Sequence, residues 1–291
     1  MSTAANTPIR AAKAVVSAAG IALALLSGSA SAQTTFDVIG PHEYDLPVGF
    51  DQPFNVFVQY ATVQRDSRLF DSDGDRQRGN SAQKIIGLSK YVRFWTPESN
   101  RNIGLAFEVI QPTVGIRNRD AVDPDARHIS GFGDTITGAA IWYKPTPGST
   151  LGFQTFLQIP IGDKDVSDTN WKNLSSLLWY VPLTERIGWT GDLGFVAQSR
   201  RDDGNRPGML WHTNNRFGYR VNDWLEPFAG VDYERISGRN GADDSWGFDG
   251  SLGVMFHYYG NQSIALRYSH GIEGENRPVN NSINIKYAYV W

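Results

Sequence analysis

The last ten residues of the chain alternate between apolar and mostly small or polar side chains. One parity holds Ile283, Ile285, Tyr287, Tyr289 and Trp291. Because successive side chains of a strand point to opposite faces, the segment is predicted to be a strand with one aromatic wall. A transmembrane barrel needs such a wall toward lipid, with rings near the membrane interfaces. The pattern therefore predicts a membrane-spanning strand at this end of the chain.

Similar alternation recurs upstream and predicts about twelve strands. They cover residues 54–62, 85–95, 103–109, 135–143, 151–159, 171–181, 189–198, 209–219, 225–234, 248–257, 263–269 and 282–291. Charged residues near mid-strand lie on the parity opposite the apolar one, which is typical of a wall between lipid and a polar interior. The facing of 85–95 and 171–181 is ambiguous, because their apolar residues do not keep to one parity.

The connections between these strands alternate in length. A polar loop at 65–83 precedes a turn at 96–100, and a polar loop at 111–130 precedes a turn at 144–149. Outer-membrane barrels show this alternation, because their periplasmic turns are short and their extracellular loops long. The pattern predicts one all-β domain at 53–291, an antiparallel up-and-down transmembrane β-barrel of about 12 strands. The barrel is expected to be closed, because lipid offers no hydrogen-bond partner to an open sheet edge. Antiparallel pairing of the first and last strands then requires an even number of strands.

The first 52 residues do not follow this pattern. Arg10 and Lys13 precede a short apolar run, and Ala30-Ser31-Ala32 is a small-residue cleavage signal. Residues 1–32 are therefore predicted to be a secretory signal peptide. Residues 33–52 are predicted to be a periplasmic N-terminal segment, either a short tail or a segment tucked into the barrel mouth. These features place the protein in the outer membrane of a Gram-negative bacterium.

The composition excludes several classes of protein. A net charge of −3 without a basic stripe argues against a nucleic-acid partner. No long apolar run follows the N-terminus, which excludes a helical membrane protein. The chain has no cysteine, so disulfides, thiol catalysis and cysteine metal sites are excluded.

Two short motifs carry a resemblance to a known family. They are Gly131-Phe132-Gly133-Asp134, followed by Thr-Ile-Thr-Gly, and the strand 157–163, which ends in Pro-Ile-Gly-Asp. With the terminal tyrosines and tryptophan, their order and spacing resemble the outer-membrane transporter-like family named for the meta-pathway of phenol degradation. The resemblance covers about residues 54–291. It implies a β-barrel that admits aromatic or other apolar compounds, and it implies no particular binding residue.

The parity of the strands predicts which side chains line the lumen. The candidates are Phe57, Glu108, Gln154, Phe156, Gln158, Asp192, His212, Arg216, Glu226, Phe228, Asp232, Asp249, His257, Arg267 and Lys286. Their charges either pair with one another and hold the interior together, or form a constriction that selects solutes by size and charge. The inward phenylalanines Phe57, Phe156 and Phe228 suggest an apolar patch for a ring-bearing solute.

No metal site or cofactor site is expected. The Asp-rich run 71–75 has Gly in its fourth position and Ala82 in its twelfth, so it departs from a calcium-binding EF-hand loop and indicates a solvated loop. The five histidines show no metal-ligand spacing.

A catalytic residue is not expected either. Ser269 and His270 are neighbours on a strand, so they point to opposite faces and do not form a nucleophile–base pair. The chain also lacks a Gly-x-Ser-x-Gly motif.

The function predicted from the sequence is passive uptake of small molecules, with aromatic or hydrophobic compounds as the leading substrates. One alternative is a plugged structural or surface-interaction barrel without channel activity, and another is a lipid hydrolase. The expected partners are outer-membrane lipid and lipopolysaccharide, the barrel assembly machinery through the C-terminal strand, and the small-molecule permeant.

Overall fold

The computed structural model describes residues 40–119, 128–239 and 242–291. The predicted signal peptide at 1–32 and the first part of the predicted N-terminal segment lie outside the described residues. No helix in the described part of the chain is long and apolar enough to cross a membrane.

The described residues form strands joined in one antiparallel sheet. They are β1 Phe54–Phe70, β2 Arg76–Trp95, β3 Ile103–Asn118, β4 His128–Phe132, β5 Thr135–Tyr143, β6 Thr150–Ile159, β7 Lys172–Pro182, β8 Ile187–Gln198, β9 Leu210–Tyr219, β10 Leu225–Ile236, β11 Ser245–Tyr259, β12 Gln262–Glu275, β13 Arg277–Pro278 and β14 Asn281–Val290. Twelve of these described strands make the wall, while the short β4 and β13 pair with β3 and β1.

The sheet closes on itself between its first and last strands. β1 pairs with β2 on one side and with β14 on the other, from Val56 opposite Val290 to Gln64 opposite Ser282. At the end of this seam, Asn55 and Trp291 exchange backbone hydrogen bonds of 2.8 and 3.0 Å. The predicted closed, antiparallel, twelve-stranded barrel is thereby confirmed.

The two faces of the wall differ as the alternation predicts. Ile283, Ile285 and Tyr289 of β14 are exposed on the outside, whereas Ser282, Asn284 and Lys286 are buried inside. β6 shows the same division, with Leu151, Phe153 and Leu157 exposed and Gln154 and Gln158 buried. An apolar outer face on a closed barrel is the surface that lipid requires.

Several strands extend further than the sequence predicts. β1 continues to Phe70 and β2 begins at Arg76, so most of the predicted loop at 65–83 is a hairpin arm, in which Leu69 pairs with Gln77. β3 likewise continues to Asn118 through part of the predicted loop at 111–130. Beyond the lipid the outer face of a strand meets water, so it needs no apolar parity, and the pattern that marks a membrane strand disappears there.

Residues 40–50, here called the inner segment, lie inside the barrel at its short-turn end, and the exposed residues 51–53 lead into β1. The Trp142 indole Nε1 donates a 2.8 Å hydrogen bond to the Pro47 carbonyl, and the Leu46 backbone N donates to Thr150 Oγ1 at 3.3 Å. Val48 and Phe50 pack on a buried cluster that includes Trp142. Trp142 and Thr150 flank the short turn between β5 and β6, so the segment occupies this end of the lumen.

Placing a charge on the outer face tests the lipid-facing assignment. Leu177, exposed near the middle of β7, is a suitable site. We expect Leu177→Arg to lower the free energy of unfolding by about 2–4 kcal/mol, because lipid cannot solvate the guanidinium. Denaturant titration of the barrel in lipid vesicles measures this change. The control Leu183→Arg, at an exposed residue in the turn after β7, is expected to have little effect; equal losses in both variants would contradict the assignment.

Candidate functional site inside the barrel

The structure places fourteen of the fifteen predicted lumen residues on the inner face. Glu108, Gln154, Phe156, Gln158, Asp192, His212, Arg216, Glu226, Phe228, Asp249, Arg267 and Lys286 are buried there, and Asp232 and His257 are partly buried. The exception is Phe57, which lies on the outer face, 36% exposed and opposite Tyr91 and Tyr289. Its predicted facing was wrong because Val58 and Tyr60, which are also apolar, take the inner face of β1 and pack there.

The inner segment is held by polar contacts with the barrel wall. Glu43 Oε1 is 2.8 Å from Lys286 Nζ, and its other carboxylate oxygen accepts a 3.3 Å hydrogen bond from Tyr60. Burial alone would raise the pKa of Glu43, but the charge of Lys286 holds it below the usual value. The Tyr44 hydroxyl donates to Asp192 at 3.1 Å and accepts from Gln154 at 3.3 Å. Three predicted lumen residues therefore bind the inner segment.

A second set of contacts centres on Glu226, at the start of β10. Its Oε2 atom is 2.8 Å from His42 Nε2, 3.0 Å from His257 Nε2 and 3.4 Å from Arg220 Nε. His42 also places Nδ1 3.4 Å from Asp45 Oδ2. Burial lowers the pKa of His42, but the hydrogen bonds to Asp45 and Glu226 outweigh it and raise this pKa to about 8.

The charges inside the barrel are arranged in pairs. Arg216 makes a two-pronged contact of 2.6 and 2.9 Å with Asp232, and Arg267 approaches the same carboxylate at 3.6 Å. Glu108 is 2.5 Å from Lys90. Buried charges are stable only when paired and hydrogen-bonded, so these contacts hold the interior together.

An apolar row crosses the inner wall above the inner segment. It consists of Ile110, Ile136, Phe156, Leu174, Val196 and Leu210, each buried and contributed by β3, β5, β6, β7, β8 and β9 in turn. From Phe156 to Leu210 each member is the direct cross-strand partner of the next, and Ile110 is paired in the same way with Ile136. The Phe156 ring lies over Gly138, where an added Cβ would come within 2.5 Å of it.

Polar residues border this apolar row on both sides. Gln158 and Lys172 are cross-strand partners on the side of the long loops. Gln154 and Ser176 are partners on the other side, and the Gln154 amide donates a 2.8 Å hydrogen bond to Ser176. The interior is therefore a narrow apolar band between two polar rows. Phe228 lies apart from this band and packs with Met255 and Ala265, so the two inward phenylalanines do not form one patch.

The two sequence motifs noted above contact each other at the loop end. The Phe132 backbone N donates to Asp163 Oδ2 at 2.7 Å, and the Gly162 backbone N donates to Asp134 Oδ1 at 3.0 Å. A Cβ at Gly162 would come within 2.6 Å of the backbone of Gly133. This close approach explains Gly162, whereas a Cβ at Gly131 would meet Asp163 and a Cβ at Gly133 would meet Pro112.

The Asp-rich turn behaves as a solvated loop. Asp71 Oδ1 accepts the backbone N–H of Asp73 at 3.0 Å and of Asp75 at 2.9 Å. Such hydrogen bonds from a side chain to its own turn are typical of aspartate at loop tips.

The sequence did not reveal several residues of the interior. His42, Glu43 and Tyr44 precede the first strand, and no periodicity indicates where an irregular segment lies. Lys90 is on β2, whose facing the sequence left ambiguous. Cross-strand register alone would have revealed the apolar row, since its members lie on six different strands.

Comparison with known proteins identifies the family. A family model described as "Putative MetA-pathway of phenol degradation" matches residues 66–287. The chain belongs to this family. The match spans both motifs and every described wall strand, apart from most of β1 and the last residues of β14. A comparison with curated proteins finds no match.

Solved structures share the fold at low sequence identity. The COG4313 outer membrane channel from Pseudomonas putida F1 is 15% identical, with a TM-score of 0.74 over 84% of this chain and 97% of that one. The CymD monoaromatic hydrocarbon channel is 8% identical, with a TM-score of 0.51 over 88% and 92%. The β domain of the Bordetella autotransporter BrkA is 11% identical, with a TM-score of 0.52 over 82% and 99%. Since a channel and an autotransporter both match, these likenesses establish the fold alone.

Proposed function

We propose that this protein is an outer-membrane channel for passive uptake of small apolar molecules, monoaromatic compounds foremost. The observation that carries the proposal is the apolar row from Ile110 to Leu210. Membership of a family described by phenol degradation supports the same class of solute, as does the likeness to CymD, a monoaromatic hydrocarbon channel.

The apolar row suits a solute that must bind and then leave. The six side chains of the row are only 1–4% exposed, so a ring contacts only a small part of them. At about 25 cal/mol per Å² of buried apolar surface, such partial contact is worth at most a few kcal/mol. Conduction needs binding that is favourable enough for entry and weak enough for release. The polar rows around Gln158 and Gln154 confine this contact to a single band.

We further propose which molecules the protein contacts in the membrane and during its assembly. The aromatic outer face contacts outer-membrane lipid and lipopolysaccharide, and the C-terminal strand is the segment that the barrel assembly machinery engages. A hydrolase is not proposed, because Ser269 is buried on the inner face while His270 is its neighbour on the strand.

Replacing the ring at the centre of the apolar row tests the function. We expect Phe156→Ser to reduce the initial uptake rate of monoaromatic hydrocarbons severalfold, because a hydroxyl in the band weakens contact with an apolar solute. Uptake of a labelled sugar of similar mass is expected to change little. Phe153→Ser, which removes a ring from the outer face of the same strand, is the matched control. Equal aromatic uptake by Phe156→Ser and the parent, at equal levels of folded protein, would count against the proposal.

The inner segment favours a second candidate, a structural barrel whose lumen is closed. Its contacts with Asp192, Glu226 and Lys286 hold it in the short-turn end. Planar-bilayer recordings separate the two functions: the channel predicts discrete single-channel steps from the intact protein, and the closed barrel predicts none.

A further inference from the structure

Three side chains with metal-ligating groups meet at the short-turn end of the barrel. His42 of the inner segment, Glu226 of β10 and His257 of β11 each place one ligand atom within 4.8 Å of the others. We propose that they form a binding site for a divalent transition-metal ion, Zn²⁺ being the best match. This site goes beyond solute uptake, since it uses residues outside the apolar row.

The separations of the ligand atoms suit a metal. His42 Nε2 is 2.8 Å and His257 Nε2 is 3.0 Å from the same oxygen of Glu226. Bonds of about 2.0–2.1 Å from Zn²⁺ to nitrogen and oxygen place neighbouring tetrahedral ligands about 3.3 Å apart, close to these separations. The two rings lie edge to face, with centroids 5.4 Å apart, so they approach the carboxylate from different sides. Only small side-chain rotations are needed to admit an ion.

The second ring nitrogen of His42, Nδ1, has the kind of partner that metal-binding histidines have. Its Nδ1 lies 3.4 Å from Asp45 Oδ2, which directs Nε2 toward Glu226. Metal-binding histidines commonly give their second ring N–H to a carboxylate, which fixes the ring and raises its basicity. Glu226 is itself only 2% exposed, so its carboxylate stays directed at the two rings.

The ligand set determines the class of metal. Two imidazoles and one carboxylate suit Zn²⁺ and its transition-metal neighbours, whereas Ca²⁺ and Mg²⁺ prefer oxygen ligands throughout. Three protein ligands leave one position for water. Arg220 competes for the site, with Nε 3.4 Å from Glu226 Oε2, but its side chain is 35% exposed and can turn toward solvent.

Such an ion would join three separate parts of the chain. His42 lies 184 residues from Glu226, and His257 lies 31 residues beyond it. A bound metal would therefore fasten the inner segment to two neighbouring wall strands and hold the short-turn end of the lumen in its observed arrangement.

Calorimetric titration of the folded full-length barrel in detergent tests this site. The protein carries no polyhistidine tag, is stripped with a chelator, and is titrated with Zn²⁺. We expect saturable binding of one equivalent. Co²⁺ in place of Zn²⁺ is expected to give visible d–d absorption, which reports nitrogen and oxygen coordination independently of any transport assay.

Four variants separate a metal site from a cluster of ion pairs. His257→Gln and Glu226→Gln are expected to weaken Zn²⁺ binding at least tenfold. Asp45→Asn is expected to weaken it by about 10-fold, the effect typical of losing a partner of a ligating histidine. Arg220→Gln is expected to tighten binding, because it removes the cation that competes for Glu226. The control His128→Gln, at an exposed histidine at the start of β4, is expected to bind Zn²⁺ as the parent does.

Heat-dependent migration in gels verifies that each variant is folded. If Glu226→Gln does not fold, the more exposed His257→Gln provides the same comparison. The proposal is overturned if the folded parent binds no Zn²⁺ saturably, or if His257→Gln binds it as tightly as the parent.

Discussion

Deletion of residues 40–50 is expected to raise the single-channel conductance of the barrel severalfold. These residues occupy the short-turn end of the lumen, where His42, Glu43 and Tyr44 are bonded to the wall. Their removal replaces packed protein with water, and the wall carboxylates and Lys286 become solvated. The twelve wall strands keep all their backbone hydrogen bonds, so the variant should still form a heat-resistant barrel. Recordings in planar bilayers measure the change.

A crosslinked variant is the matched control for this deletion. The Leu46 backbone lies 3.3 Å from Thr150 Oγ1, and the chain has no cysteine of its own, so Leu46→Cys with Thr150→Cys adds a single possible disulfide. The oxidised protein is expected to keep the conductance of the parent, because the segment stays in place. If the deletion and the crosslinked protein conduct alike, the inner segment does not obstruct the lumen.

Deletion of Trp291 is expected to lower the amount of assembled barrel severalfold while leaving its solute preference unchanged. Trp291 exchanges two backbone hydrogen bonds with Asn55 at the seam, and its ring stacks on Tyr289 with centroids 5.5 Å apart. The deletion therefore removes the last bonds that close β1 against β14, together with the terminal ring. Quantifying heat-resistant barrel in purified outer membranes measures the loss.

Two further variants assign this loss to the terminal residue. Trp291→Phe keeps a ring and both backbone hydrogen bonds, so its assembly is expected to approach that of the parent. Trp224→Ala removes an exposed ring at the same end of the barrel, from the turn before β10, and is expected to assemble normally. Parental levels of barrel after deletion of Trp291 would show that this residue is not part of the assembly signal.

The strands were predictable because lipid imposes one parity on each of them. The alternation in β6 and β14, and the even strand count, follow from a wall with one apolar and one polar face. The prediction failed where that constraint is absent. The arms of β1 and β2 that lie beyond the lipid have no apolar parity, and Phe57 shares its strand with apolar residues on the other face.

The interior was predictable as a set of residues but not as a set of contacts. Parity correctly places Arg216 and Asp232 inside, whereas their pairing depends on the register between β9 and β10. Lys286 was expected to pair with acids of the wall, yet it contacts Glu43 of the inner segment. The cluster at Glu226 joins residues that are far apart in sequence, which no local spacing indicates.

Initial rates of uptake in whole cells test the proposed channel most directly. A strain that lacks this protein is compared with its parent and with a complemented strain, at limiting concentrations of a monoaromatic hydrocarbon and of a sugar of similar mass. Intact lipopolysaccharide is required, because it limits passage of apolar solutes through the lipid itself. The apolar row predicts that loss of the protein slows aromatic uptake severalfold, with sugar uptake unchanged and complementation restoring the rate. Equal aromatic uptake in all three strains would contradict the proposed function.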